Sequence, residues 1–491
     1  MDLAPIQHAI ERFDRMLSEH PRLRLRIACP SQEFSAAEMA MGTGRWWSGV
    51  RGLWETLSLA TDHDLALVMF QAPRVPDEVM DYLFDLMSDD PRLRAEARRR
   101  HLLLNVPDTR EMHLSEKLLA MPGLVTSLER LVHRARARGQ AVDGLSTFSS
   151  SATVEHLADR LGLDTRETPV RTLTWGTKAG SRSIFRLAGV PHPPGSYRPA
   201  HDVESLCGTL ARLCAEHGPG RWLVKIDGGF GSGHGNALVE LESAALSEAR
   251  EAVRHRLRPM SDTWSRADFL TAALAGGAVV EKFVGHAERW PAAAAFIEAG
   301  STSILGTHDQ VIGPAQDFVA FSSPADPAYR AEIGRQTRRV LRELRARGVR
   351  GHVGVDFLAR RVRGSARWLV DALEINLRQT GSVHPHRSVS HLLPGDWGDG
   401  GPAPYLGTDS LISPRYRGIS PSSFVRAFRE SGLSYARSRS RGVLPHLWTT
   451  LEPFGKIGAT VIGRTPQECG QFQDDFERLL DRLGHMAGMS A

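Results

Sequence analysis

The chain has 491 residues and a mass of 54.0 kDa, a length that corresponds to roughly three or four domains. Hydrophobic residues make up 41% and charged residues 24%, which excludes a disordered or fibrous chain and allows a sizeable buried core. The net charge of +5 and the pI near 9.2 favour anionic ligands only mildly, and we predict no nucleic-acid partner.

The four cysteines are scattered along the chain and form no Cys-x-x-Cys pair. This pattern predicts neither a disulfide framework nor a zinc ribbon, and it fits a reducing compartment. No apolar run approaches the ~18 residues of a membrane span, and the N-terminal segment is acidic and amphipathic, unlike a secretion signal. We therefore predict a soluble, cytoplasmic protein without a membrane partner.

The N-terminal third alternates between strand and helix patterns. Residues 22–29 and 64–70 have the composition of short buried strands, and 76–88 has that of a helix with proline at its start. Helical stretches follow at 113–138 and 153–162, the second with a threonine cap and a terminal glycine. This alternation predicts a small α/β domain.

The composition changes near 165–175, where we predict a domain boundary. Prolines and glycines at 190–198 predict a loop, and 200–217 predicts an amphipathic helix with two of the cysteines on its buried side. The Gly/Pro-rich stretch 393–408 predicts a linker before a last compact α/β module.

A cluster of glycines lies in the segment 225–236, between two strand-like stretches. The cluster consists of Gly228, Gly229, Gly231, Gly233 and Gly235. It predicts a hairpin tip, because the Walker and dinucleotide spacings, which open a helix, are not present. Glycines let backbone N–H groups approach phosphate oxygens, and Lys225 could add a charge. A flexible cover over a triphosphate and an ordinary hairpin tip both fit this pattern.

A second predicted hairpin joins the strand-like stretches 352–359 and 367–377. A symmetric hairpin places Asp356 opposite Glu374, with Cβ atoms about 4.5–5.5 Å apart. Opposed like charges are unfavourable unless a cation lies between them, and two carboxylates beside the Asn376 amide suit Mg²⁺. The hairpin therefore predicts a metal site. The alternative is a half-exposed hairpin whose acidic side chains have no functional role.

Strand alternation assigns the side chains of this hairpin to two faces. The even face carries Asp356, Glu374 and Asn376, whereas Asp371 falls on the apolar parity as a stray acid. The predicted apolar face consists of Val353, Val355, Phe357, Leu369, Leu373 and Ile375. Arg378, two residues beyond Asn376, could stabilise negative charge that develops beside the metal.

The segment 276–290 contains an apolar strand, AVVEKFV, that runs into a loop carrying Glu288. Taken alone, this segment indicates little. An edge strand with solvated Glu281 and Lys282 side chains is the simpler explanation of this segment.

In order, the segments TKAGSRSIFRLAGVPHPPG, LVKIDGGFGSG, VVEKFVGHAE, VGVDFL and ALEINLR together resemble the ATP-grasp ligases. The flanks, including LALVMFQAPRVPDEVMDYL, TDSLISPRYRGISP and FGKIGATVIGRTPQEC, resemble the pheganomycin-type peptide ligases. The resemblance implies an α/β (α+β) protein, with an ATP-grasp fold between an N-terminal Rossmann-like pre-ATP-grasp domain and a small C-terminal α/β domain. The implied divisions are 1–170, 171–284, 285–395 with the magnesium site, and 396–491.

The resemblance also implies roles for individual residues. Lys178 and Lys225 would contact the ATP phosphates, and Glu288 would hold the ribose hydroxyls. The lid over the phosphates would include Gly229, Gly231, Ser232 and Gly233, and the hinge at adenine would be Glu281, Lys282, Phe283 and Val284. Two Mg²⁺ ions, with Mn²⁺ as an alternative, would bind Asp356, Glu374 and Asn376. Arg378 would steady the tetrahedral intermediate, and Lys225 would also serve catalysis.

The activity implied by the resemblance is that of an ATP-dependent carboxylate–amine ligase, which forms an acyl phosphate and releases ADP and phosphate. An amino acid or other carboxylate donor and a peptide acceptor in secondary metabolism are the expected substrates, and a homodimer is left open. The alternatives are a ligase for two small amino acids, a ligase for an acid and a non-peptide amine, and a nucleotide-binding pseudoenzyme. No general base is identified, although His384 and His386 are candidates.

Overall fold

The computed structural model describes residues 4–40, 42–229, 234–285, 287–313, 318–393, 395, 401 and 403–490. The chain divides into two compact units. The first unit comprises Met1–Val170, Arg350–His352 and Arg378–Ala491, and the second comprises Arg171–Val349 and Val353–Leu377. Among the described helices, none combines the length and the apolar character needed to cross a bilayer.

The N-terminal part of the first unit is built on a parallel sheet of β1 (Arg24–Ala28), β2 (Leu65–Gln71), β3 (His101–Asn105) and β4 (Val142–Ser146). The strand order is β3-β2-β1-β4, and β2 is buried at every position, as expected for a strand covered by helices on both faces. The helices are α1 (Ala4–Glu19), α2 (Ala36–Ala40), α3 (Trp54–Leu57), α4 (Asp77–Met87), α5 (Pro91–Arg99), α6 (Leu114–Leu119), α7 (Pro122–Ala137) and α8 (Ala152–Arg160), with 3₁₀ helices at Arg45–Leu53 and Ser58–Ala60.

The predicted strands and helices of this part are confirmed, with two differences. The helical stretch 113–138 is two helices, because Pro122 begins a new one in α7. The cap of α8 is Ser151, whose hydroxyl accepts a hydrogen bond from the Val154 N–H, and not the predicted threonine.

The second unit begins with an antiparallel sheet, in the order β7-β6-β5-β8. Helix α10 confirms the predicted amphipathic helix, and Cys207 and Cys214 lie on its buried side. In chain order the elements are a 3₁₀ helix (Val170–Gly176), α9 (Lys178–Ala188), α10 (Val203–His217), β5 (Gly220–Ile226), β6 (Asn236–Leu241), α11 (Leu246–Glu251), a π-helical turn (Ala252–Arg256), β7 (Arg258–Pro259), α12 (Arg266–Gly276) and β8 (Ala278–Lys282).

The remainder of the second unit is a larger antiparallel arrangement whose strands follow the order β13-β12-β9-β10-β11. One apolar core lies between its strands and helices α9 and α13. The elements are β9 (Pro291–Ile297), β10 (Thr302–Ile312), β11 (Phe318–Ser323), α13 (Pro327–Ala346), β12 (Gly351–Arg361) and β13 (Trp368–Asn376).

The C-terminal segment returns to the first unit and adds antiparallel strands in the order β14-β16-β15. Its elements are α14 (Val383–Leu392), β14 (Tyr405–Ile412), a 3₁₀ helix (Pro414–Tyr416), α15 (Pro421–Glu430), β15 (Gly442–His446), α16 (Trp448–Phe454), β16 (Lys456–Ile462) and α17 (Pro466–Ser490). The predicted linker 393–408 therefore overlaps a strand from Tyr405 onward, since β16 pairs with that stretch.

Burial of His308 on β10 predicts acid sensitivity of the second unit. Its side chain is buried against the Phe321 ring, at 4.7 Å between centroids, and this burial lowers its pKa from 6.5 to about 3. In the unfolded chain the His308 imidazole binds a proton at a higher pH than it does in the folded chain. The free energy of unfolding therefore decreases as the pH drops from 6.5 toward 3, and the loss reaches about 2 kcal/mol at about pH 5.

We expect His308→Gln to lose less stability than the wild type between about pH 7.5 and pH 5, as measured by urea unfolding. The exposed His8→Gln variant is the control, and should follow the wild type. An unchanged pH dependence in His308→Gln would contradict the assignment.

Candidate active site

Helix α9 connects the two sheets of the second unit at its N-terminus. The Lys178 N–H donates to the Asp227 carbonyl at 3.0 Å, and the Ala179 N–H donates to the Asp227 carboxylate at 2.7 Å. One turn later, the Ser181 hydroxyl accepts the Ile375 N–H at 3.0 Å. The first turn of α9 is therefore held both by the end of β5 and by β13.

The β12–β13 hairpin has the predicted register, and Asp356 lies directly opposite Glu374. The Asp356 carboxylate accepts hydrogen bonds from the Asn376 side-chain amide and from the Gln310 side-chain amide, each at 2.9 Å. Glu374 accepts a hydrogen bond from the Lys178 ammonium at 2.5 Å. Lys178 and the predicted metal ligands thus form one connected polar group on one face of the hairpin.

A β-bulge changes the predicted parity of β13. Phe357 pairs with Ala372, so that Leu373 is an extra residue in the ladder. On the turn side of the bulge the buried positions are Val370 and Ala372, and the prediction that Leu369 and Leu373 lie on the apolar face is wrong. The same shift places Asp371 on the face of Asp356 and Glu374, where burial raises its pKa.

A buried charge cluster surrounds Glu281 on β8. One Glu281 oxygen accepts from the Lys225 ammonium at 2.5 Å, and the other accepts from the Arg182 guanidinium at 2.9 Å. Arg182 also donates to the carbonyls of Pro193 and Ser196. Glu281 is 3% exposed, so the alternative of a solvated edge-strand acid is wrong. The carboxylate instead holds Lys225 in a fixed direction.

Strand alternation separates the predicted hinge residues. Lys282 lies opposite Trp222 in the ladder, on the other face from Glu281, and its ammonium donates to the His217 and Gly218 carbonyls at the end of α10. The Phe283 N–H donates to the Arg221 carbonyl at 3.0 Å, and Val284 is partly buried. The Lys282 side chain is therefore turned away from Glu281, and only the Lys282 backbone could contact adenine.

Glu288 and the glycine loop lie in loops next to the ends of strands. The exposed Glu288 carboxylate accepts the Arg361 N–H at 3.0 Å, at the far end of β12. Strands β5 and β6 form the predicted hairpin, and Gly229 opens its tip with a φ of 74°, which favours glycine. Gly231, Ser232 and Gly233 lie outside the described residues.

Arg378 and the candidate histidines belong to the first unit. The Arg378 guanidinium lies 5.1 Å from the centre of the Phe34 ring. His386 is buried and hydrogen-bonds the Tyr405 hydroxyl, and burial lowers the pKa of His384 well below its usual value. The proposed roles of these three side chains stay predictions.

The oxygen donors of the hairpin fit a hard divalent cation. Asp356 and Glu374 present carboxylates from adjacent strands, and the Asn376 amide nitrogen is bonded to Asp356, which leaves the amide oxygen for a cation. Sequence reasoning did not single out Gln310, Arg182 or Asp227, which support these groups. Their only signal was their position inside the motif-bearing segments.

Close packing of Gly180 gives a test of the α9 anchor. A Cβ at this position would lie 1.9 Å from the Thr174 carbonyl oxygen, so the first turn of α9 would have to move. We expect Gly180→Ala to lower stability by about 1–3 kcal/mol and to weaken nucleotide binding about tenfold, measured by calorimetry. Gly208→Ala, in α10 with nothing within 4 Å, is the control. Unchanged nucleotide affinity would contradict a role of this turn.

Comparison with known protein families finds two matches. The family described as IQCH-like, ATP-grasp matches residues 170–275, and the PGM1 C-terminal domain matches residues 424–473.

An L-propargylglycine–L-glutamate ligase from Streptantibioticus cattleyicolor is 28% identical over 441 residues, covering 85% of this chain and 86% of that protein. The IQ motif-containing protein H of Danio rerio is 28% identical over 213 residues, covering 40% of this chain and 19% of that protein.

Two solved structures share the fold. Biotin carboxylase from Campylobacter jejuni, in complex with β-γ-ATP, has a TM-score of 0.54 at 12% identity, covering 95% of this chain and 96% of that one. An N5-carboxyaminoimidazole synthase from Aspergillus clavatus, in complex with ADP and a ribonucleotide, has a TM-score of 0.50 at 14% identity, covering 94% and 99%. The chain therefore has the ATP-grasp fold, and by its matched ATP-grasp domain and its ligase relative it is similar to ATP-grasp ligases.

Proposed function

We propose that the protein joins the carboxylate of an amino acid to the amine of a second amino acid or a short peptide, with conversion of ATP to ADP and phosphate. The observation that carries this proposal is the opposed Asp356–Glu374 pair, with Lys178 bound to Glu374 and Asn376 bound to Asp356. Two opposed carboxylates suit a divalent cation, and a site that transfers a phosphoryl group needs such a cation beside the phosphates.

Lys178 and Lys225 supply the positive charge for the phosphates of ATP. Each ammonium donates one hydrogen bond to a carboxylate, which holds it in place and leaves further N–H groups for a ligand. Asp356, Glu374 and Asn376 would hold two Mg²⁺ ions, or Mn²⁺, which neutralise the β- and γ-phosphate oxygens during transfer. Glu281 through Val284 and Glu288 stay the proposed contacts of adenine and ribose.

The proposed reaction has two steps. The donor carboxylate attacks the γ-phosphorus, which breaks the bond to ADP and forms an acyl phosphate; the acceptor amine then attacks the acyl carbon and expels phosphate. Arg378 would stabilise the oxyanion of the second step. The glycine loop, including Gly229, would exclude water, because an exposed acyl phosphate hydrolyses.

The substrates are proposed from the relatives. The Streptantibioticus cattleyicolor protein is named for two amino acids, propargylglycine and glutamate, which favours a single amino acid as acceptor. The peptide acceptor and the place in secondary metabolism that the sequence resemblance implies stay part of the proposal. The proposal also includes a homodimer and a cytoplasmic location. It divides the chain into domains at 1–170, 171–284, 285–395 and 396–491.

The test incubates the protein with ATP, Mg²⁺, pooled amino acids and short peptides, and follows nucleotides and new masses by mass spectrometry. We expect ADP, together with a product equal to donor plus acceptor minus one water. Formation of AMP and pyrophosphate would overturn the acyl-phosphate route. ATP binding without any nucleotide product would favour a pseudoenzyme.

A further inference from the structure

One face of the 3₁₀ helix Arg45–Leu53 carries two arginines in the first unit. A 3₁₀ helix has three residues per turn, so Arg45 and Arg51, six residues apart, project from the same side. The Arg45 guanidinium donates to the Glu38 carbonyl at 2.6 Å, and has no carboxylate at ion-pair distance among the residues that the structure describes. The helix thus presents a row of positive charge.

Lys456, at the start of β16, adds a third cation. Its ammonium donates to the Thr43 carbonyl at 3.2 Å, two residues before Arg45. Burial and the neighbouring Arg51 charge lower the pKa of Lys456 to about 8. Burial also lowers the pKa of Arg45, with contributions from the Arg51 and Arg378 charges. These cations are therefore close enough to destabilise one another.

The Asp409 carboxylate lies beside this group of cations and already has partners. The Asp409 carboxylate forms an ion pair with Arg51 through one oxygen and accepts a hydrogen bond from His446 at 2.7 Å through the other. His384 lies 3.5 Å from the same oxygen. Asp409 forms an ion pair with Arg51. The Glu38 charge offsets part of the fall in the pKa of Arg45, and the Asp409 charge offsets part of that of Lys456, but no described carboxylate lies within ion-pair distance of either cation.

An aromatic pair borders the same group of cations. The rings of Phe34 and Phe148 meet edge to face at 6.0 Å. The Arg51 guanidinium lies 6.0 Å from the centre of the Phe148 ring, and the Arg378 guanidinium lies 5.1 Å from that of Phe34. The rings limit the arginine side chains to a few directions, which reduces the entropy lost when they bind an anion.

We propose that Arg45, Arg51 and Lys456 bind a substrate carboxylate other than the one that ATP activates. This inference rests on the proposed function. An amino acid or peptide acceptor always carries a free α-carboxylate, and an acidic amino acid donor carries a second one. Either must be held away from the phosphoryl group, and arginine is suited to bind it through two parallel hydrogen bonds.

The first experiment does not depend on turnover. At about pH 8, near its pKa, Lys456 should react with traces of acetic anhydride, and mass spectrometry of digests gives the rate. The probes are L-glutamate beside its diamide, and L-alanine and L-alanyl-L-alanine beside their α-carboxamides. We expect a carboxylate probe to slow acetylation of Lys456 at least about threefold, its amide to have no effect, and Lys282 to react unchanged.

The second experiment identifies the substrate concerned. With the substrate pair from the ligase assay, Arg45→Met and Lys456→Met should raise the KM of one substrate about tenfold and leave the KM of its carboxamide unchanged. A change in the donor KM assigns the site to the donor, and a change in the acceptor KM assigns it to the acceptor. Lys456→Arg keeps the charge and should stay near the wild type, and the exposed Arg22→Met is the matched control.

Equal protection by carboxylates and amides, or no protection by any probe, would overturn the inference even if the ligase assay succeeds. Protection without ADP formation would retain the carboxylate site and overturn the proposed function. A tenfold loss in Lys456→Arg equal to that in Lys456→Met would assign Lys456 to packing and contradict the inference.

Discussion

Glu374→Gln is expected to reduce ATP turnover at least about 10³-fold while the protein stays folded. The substitution keeps the size of the side chain and an oxygen for the Lys178 ammonium, but it removes the negative charge opposite Asp356. One carboxylate and neutral amides bind a divalent cation far more weakly than two carboxylates do, so the phosphate charge is not neutralised during transfer.

Turnover would be followed as ADP release under saturating ATP and Mg²⁺, with the thermal midpoint measured alongside. Glu240→Gln, an exposed carboxylate on β6 of the same unit, is the matched control and should retain full activity. If Glu374→Gln stays within about tenfold of the wild type, this carboxylate does not serve the chemistry and the site must be reassigned.

Glu281→Gln is expected to destabilise the sheet of β5 and β8 by about 3–5 kcal/mol and to abolish nucleotide binding. The carboxylate is buried between Lys225 and Arg182, which is 1% exposed. A neutral amide leaves the Lys225 and Arg182 cations facing each other without a counter-charge. Lys225 then loses the contact that directs its ammonium.

Hydrogen exchange of peptides from β5 and β8 would give the local stability, and calorimetry would give the ATP affinity. Glu204→Gln breaks the exposed pair with Arg250 and should change neither measurement, because solvent screens such a pair. Adding Lys225→Met to Glu281→Gln removes one stranded cation, whose hydrogen-bond partner is Glu281, and should recover part of the stability. No recovery in this double variant would contradict the electrostatic explanation.

The β12–β13 hairpin shows how far sequence reasoning reaches in this protein. The composition of the two strands and their short turn predicted that Asp356 faces Glu374, and the ladder confirms it. The bulge at Leu373 was not predicted, because an extra residue leaves the strand composition unchanged. Only the hydrogen-bond ladder reveals that the parity changes there, and that Asp371 shares the face of the site.

The buried charge cluster around Glu281 shows what sequence reasoning could not predict. In the sequence, Arg182 is one arginine of many, yet its guanidinium is a hydrogen-bond partner that holds the Glu281 carboxylate in place. The strand pattern around 278–284 is compatible with both a solvated and a buried glutamate, because burial depends on what packs against the strand. Here the covering residues come from distant segments, Arg182 in α9 and the carbonyls of the 190–198 loop.

Local sequence patterns were enough to predict three parts of this protein: the alternating strands and helices near the N-terminus, the glycine-tipped hairpin and the opposed carboxylates. Each of these follows from side-chain periodicity and turn chemistry within about 30 residues. The return of the chain to its first unit at Arg378, and the meeting of Arg45, Arg51 and Lys456 in that unit, became visible only in the folded chain. Such meetings depend on the packing of segments hundreds of residues apart, which leaves no periodic signal in the chain.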